Sequence, residues 1–102
     1  MQVDKGRVIQ ETLLRLRRLS EGEGILLQPF KKDRSLVLIA MEDGKYQVLQ
    51  RGFGREDFVV ETGKIRKLLK VLCRKEFPRS NRVWLTVLGA ESVAEISEKY
   101  GM

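Results

Sequence analysis

The chain contains no histidine, one cysteine, two prolines and one tryptophan among its 102 residues. Without histidine neither a Ser-His-Asp nor a Cys-His nucleophile can be assembled, and the commonest general base is missing. One thiol and no imidazole put zinc and blue-copper ligand sets beyond the reach of a single chain and exclude an intramolecular disulfide. The lone cysteine points to a reducing compartment. Apolar runs such as residues 36–41 stop far short of the roughly 20 residues that cross a bilayer, and the opening MQVDKGRVIQ has no apolar signal segment. The expectation is a soluble, cytoplasmic protein with no membrane partner.

Internal repeats, low-complexity tracts and linker compositions are also lacking, so residues 1–102 are expected to form one domain. The 42% hydrophobic content is enough to fill one core without metals or staples.

Charge is what the chain has in an uneven supply. Its formal net charge is +6, yet residues 1–24 carry +1, residues 25–61 carry 0 and residues 83–102 carry −2. Residues 62–82 carry +7, with Lys64, Arg66, Lys67, Lys70, Arg74, Lys75, Arg79 and Arg82 opposed only by Glu76. Clustering of this kind on one element says more about a partner than overall basicity does.

Periodicity predicts the element order helix, four strands, helix, strand, helix. In residues 4–19, Val8, Ile9, Leu13, Leu16 and Leu19 share one side of a helix, Asp4 stands as N-cap, and Glu11 precedes Arg15 by the favourable four residues. Residues 25–30, 36–41 and 45–51 read as strands, with Asp43-Gly44 marking a type I′ hairpin turn. Residues 36–41 are apolar on both faces and belong in the middle of the sheet, whereas Pro29 belongs at a strand end or edge. Residues 58–60 make a short fourth strand. Helical spacing returns over residues 63–77, with Ile65, Leu68, Leu69, Leu72 and Cys73 on one face and Pro78 as the stop. Residues 83–88 form a fifth strand, and Val93, Ile96 and Tyr100 predict a short closing helix ahead of Gly101. The fold class is α+β, a mainly antiparallel sheet of four to five strands with an N-terminal helix, a basic amphipathic helix and a short C-terminal helix.

On the second helix Lys67, Lys70 and Arg74 fall in one narrow sector opposite the leucines, with Arg66 and Lys75 at its borders. They span about 10 Å. Placing like charges three and four residues apart costs about 0.2–0.5 kcal/mol per pair, and Arg79 and Arg82 continue the positive charge past the helix end. Cations so placed displace counterions from phosphates and give sequence-independent affinity for DNA or RNA. The same face also reads as a solvated surface that keeps a small protein soluble.

Aromatic partners for bases are few. Tyr46 and Trp84 lie in apolar strands and read as core. Arg51-Gly52-Phe53-Gly54-Arg55 would present two cations and a ring if exposed, and otherwise forms a bulge whose phenylalanine folds back on the sheet. Arg51-Gly52-Phe53-Gly54, with Phe58, resembles the opening and last aromatic position of the first ribonucleoprotein signature of RNA-recognition motifs. Arg55 and Glu56 depart from it where that family has an aromatic and an aliphatic residue, so membership does not follow.

No Walker sequence, metal-ligand spacing or covalent-catalysis constellation appears, and Cys73 reads as an inert core thiol, so neither an enzyme nor a cofactor is expected. Two functions remain. The first is a non-enzymatic nucleic-acid-binding domain of low sequence specificity, with Lys67, Lys70 and Arg74 on phosphates, Arg66, Arg79 and Arg82 extending the track, and Arg51, Phe53 and Arg55 accessory. The second is a protein-interaction or homo-oligomeric module, a homodimer among the options, in which the basic helix is a protein-contact or solubility face; an exposed apolar patch around Tyr46, Leu49 and Trp84, a tight dimer or an acidic partner on the basic helix would favour it.

Overall fold

The computed structural model describes residues 1–99. Strands β1 (Gln2–Asp4), β2 (Gly24–Pro29), β3 (Ser35–Ala40), β4 (Lys45–Arg51), β5 (Arg55–Glu61) and β6 (Arg82–Leu88) pair antiparallel in the order β1-β6-β2-β3-β4-β5. Helices α1 (Val8–Leu16), α2 (Thr62–Glu76) and α3 (Ala90–Lys99) complete the described chain. The architecture is α+β, with six strands rather than four to five. Tyr100 and Gly101 lie outside the described residues.

The sheet has a thick side and a thin side. Leu36 and Leu38 of β3 turn toward α1 and α2, where they join Ile25, Leu27, Val48, Ile65, Leu69, Leu72, Phe77, Val83 and Leu85 in the main core. Val37 and Ile39 turn the other way and pack with Leu49, Leu88 and Val93 beneath α3. All six residues of β3 are buried because both sides are covered, as its unbroken apolar run predicts. Pro29 closes β2, where its missing N–H interrupts no further pairing.

At the β3–β4 connection Asp43 and Gly44 both take positive φ, 61° and 69°, and the Lys45 N–H donates to the Glu42 carbonyl. These are the central residues of the expected type I′ turn.

The start of the chain departs from expectation. Asp4 ends β1 instead of capping a helix, and it forms an ion pair with Arg82 on the neighbouring strand. A single 3-10 turn, Lys5–Arg7, separates it from α1, which stops at Leu16 rather than continuing to 19. Three residues are too short to show a period, and β1 exists because β6 has an edge for Val3 to pair with at Val83. Strand β5 is also longer than the predicted 58–60. Its first three residues, Arg55, Glu56 and Asp57, are charged, the composition an outer strand uses to discourage pairing with another chain.

Phe77 is wholly buried where α2 ends. Phe77→Ala is expected to lower stability by about 3–5 kcal/mol. Urea unfolding should show a lower midpoint with an unchanged slope.

Candidate nucleic-acid interface

Helix α2 buries Ile65, Leu69, Leu72 and Cys73 and turns Lys64, Arg66, Lys67, Lys70, Arg74 and Lys75 outward. Burial pushes the Cys73 thiol up to about 12, so it is protonated and inert at neutral pH. Among the described residues no cation of α2 takes part in an ion pair; the pairs lie on α1, on the β2–β3 turn and between strands.

Glu76, the one acid among residues 62–82, is wholly buried. A carboxylate in the last turn of a helix opposes the macrodipole, so its place needs another cause. Gln50 Nε2 donates to Glu76 Oε2 at 2.7 Å, the Phe53 N–H to Oε1 at 2.8 Å and the Gly54 N–H to Oε2 at 3.0 Å. Desolvation pushes its pKa up, but the hydrogen bonds from Gln50, Gly54 and Phe53 and the field of Arg34 outweigh it and hold the carboxyl below its ordinary value. A Cβ at Gly52 would overlap Glu76 Oε1, and one at Gly54 would stand 2.6 Å from Gln50 Nε2. The Arg-Gly-Phe-Gly bend is therefore the dock of a buried carboxylate, and its glycines make room for that contact.

With both flanking N–H groups held inward by Glu76, the Phe53 ring points out. It is 67% exposed, the first of the two arrangements that the sequence leaves open, and the Arg34 guanidinium stands 4.5 Å from its centroid. Lys75 Nζ lies 3.1 Å from the place a Gly54 Cβ would occupy, so the bend adjoins the basic face of α2.

The nine candidate residues do not form one track. Lys67, Lys70 and Arg74 share the outer face of α2, with Arg66 beside them. Arg51, Arg55 and Arg82 alternate with residues buried under α1 and α2 and so belong to the opposite side of the sheet. Arg51 Nη1 donates to Asp57 Oδ1 at 2.7 Å, and Arg82 pairs with Asp4 and donates to Gln2 Oε1 at 3.2 Å. Arg51 and Arg82 are thus structural partners across strands, and none of the three extends the helix face. Arg79 lies on the loop between α2 and β6.

Tyr46 is buried as expected, and its hydroxyl donates to the Leu16 carbonyl. Trp84 is not core. Val83 and Leu85 take the covered side, which leaves the indole half-buried on the other, with Lys32 Nζ 4.7 Å from the ring centroid. With Tyr46 and Leu49 both buried, the exposed apolar patch that would favour the interaction reading is not formed around them.

The polar turn Lys31-Lys32-Asp33-Arg34 stands where the sequence places it, between β2 and β3, but sequence reasoning gave it no functional role. Pairing of Pro29 with Val83 brings this turn beside the loop at residues 77–81, and the two enclose an open cleft of about 580 Å³ lined by Phe30, Lys31, Arg34, Arg79 and Arg82. The Lys31-Lys32-Asp33-Arg34 run was a visible signal, but its neighbour depends on the place of β6 in the sheet. Compared with known proteins, the chain matches no family model, no curated protein and no solved structure.

Because the folded pKa of Glu76 is depressed, its contribution to stability is full above its ordinary value near 4.5 and is lost as pH falls through the lower folded value. Glu76→Gln is expected to lower stability at neutral pH by about 2–3 kcal/mol. The gap between wild type and variant in urea titrations should hold from about pH 7 to pH 5 and close below pH 4.5.

Proposed function

We propose that this chain is a small non-enzymatic domain that binds nucleic acid with low sequence specificity through the outer face of α2. The observation that carries this reading is the fate of Glu76. Its burial removes the only acid of residues 62–82 from the surface, so α2 presents exposed cations with no acid among them. Phosphates are the partners that such a stripe suits, because each contact releases condensed counterions. Lysines on flexible stems set charge rather than planar geometry, which fits affinity without base readout.

A second reading rests on the placement of α3. Its exposed acids Glu91, Glu95 and Glu98 lie across the sheet from α2, so the two helices cannot meet within one molecule but can between copies. Such a contact is head-to-tail and grows into chains unless it closes on itself.

Fluorescence anisotropy against labelled single strands, duplex DNA and RNA at several salt concentrations tests the first reading. Neutralising three to five phosphates gives a log–log salt slope of roughly −2 to −3.5 on a single strand. Reversing Lys67, Lys70 and Arg74 to Glu should weaken binding by about two orders of magnitude or more, while reversing Arg18, Lys45 and Lys99 makes the same change in net charge with much less effect. Circular dichroism should show both variants folded. A loss of self-association on size exclusion, without any nucleic-acid binding by the wild type, would favour the second reading instead.

A further inference from the structure

We propose that the cleft between the β2–β3 turn and the α2–β6 loop takes a segment of single-stranded nucleic acid, with phosphates on Lys31 and Arg79 and bases against Phe30 and Phe53. The inference rests on the nucleic-acid reading of α2 and names the form of the ligand.

The cleft has four cations, Lys31, Arg34, Arg79 and Arg82, to one acid, Asp33. Two of the cations are engaged, Arg34 with Asp33 at 3.9 Å and Arg82 with Asp4 at 3.8 Å. Lys31 and Arg79 form no ion pair among the described residues. Arg34 Nε is buried and faces Asp33 Oδ1, so it is the outer part of this guanidinium, stacked on Phe53, that borders the cleft.

The cleft is also joined to the basic helix. Arg34 lines it and stacks on Phe53, the Phe53 N–H is held by Glu76 at the end of α2, and Lys75 adjoins Gly54. A backbone lying along Lys67, Lys70 and Arg74 is thus led past Phe53 to the cleft mouth.

Strandedness follows from the two phenylalanines. Phe30 and Phe53 are 68% and 67% exposed, on loops at the same end of the molecule. Neither ring can use a duplex, whose base faces are hidden in the stack and whose outer surface is phosphate and sugar. A single strand offers a π-face at every base, and a positive groove combined with aromatic platforms is how sequence-tolerant single-strand binding is achieved. Arg34 fixes the Phe53 ring before any ligand arrives, which reduces the ordering that binding requires.

The test compares labelled oligo-dT, oligo-rU and a duplex of equal length by anisotropy at matched salt. The wild type should bind one or both single strands more tightly than the duplex. Phe30→Ala and Phe53→Ala should each weaken single-strand binding about tenfold and leave duplex binding unchanged. Lys31→Gln with Arg79→Gln should reduce the single-strand salt slope by about 1.4, the share of two phosphates. All four side chains are exposed, and thermal melts should show the variants folded. Equal or tighter binding of duplex, or single-strand affinity indifferent to both phenylalanines, would overturn the cleft. If reversal of Lys67, Lys70 and Arg74 abolishes binding while the cleft variants change nothing, the cleft falls and the function of α2 stands. If the wild type binds none of the three probes, both fall.

Discussion

The buried carboxylate of Glu76 ties the end of α2 to β4, to the β4–β5 bend and to the β2–β3 turn at one point. It receives hydrogen bonds from a side chain on β4 and from two backbone N–H groups in the β4–β5 bend, and it stands in the field of Arg34 from the β2–β3 turn. A buried charge is tolerated only when its lone pairs are satisfied, and here they are. Once this contact forms, the end of α2, the path of the bend and the outward direction of Phe53 are all set. Breaking it would leave two backbone donors without acceptors in addition to removing a helix anchor.

The same contact shapes the surface. Helices that serve only to cover a sheet usually mix signs on their outer face, since alternating charges support one another at three- and four-residue spacing. On α2 the single candidate for such support is turned inward, and the like-charge repulsion along Lys67, Lys70 and Arg74 is left standing. The stability of the core beneath carries that repulsion. Leu69 and Phe77 are wholly buried, and Ile65 and Leu72 nearly so.

Much of the fold could be read from local pattern. The α2 helix falls within one residue of its predicted bounds, β3 sits at the centre because it is apolar on both faces, and Asp43-Gly44 makes the turn its φ preferences favour. Each of these depends on residues within a few positions of one another. What could not be read depends on distant pairing. The short β1 has meaning only beside β6, and β6 inserts between β1 and β2, which no periodicity fixes. The candidate interface divides the same way. The α2 stripe was legible from 100° spacing, whereas Arg51 and Arg82 face away because of strand parity and were taken up by Asp57 and Asp4. The direction of Phe53 was left open because the carboxylate that fills the space behind it comes from 23 residues along the chain.

The placement of α2 and α3 on opposite sides of one sheet sets two helices of opposite charge back to back, the cations of α2 facing one way and Glu91, Glu95 and Glu98 the other. In the field of a polyanion such a body is turned before it touches, so a larger share of diffusional encounters arrives in one orientation. If α2 is the face that meets a polyanion, Glu91, Glu95 and Glu98 are turned away from it and add no repulsion at the contact.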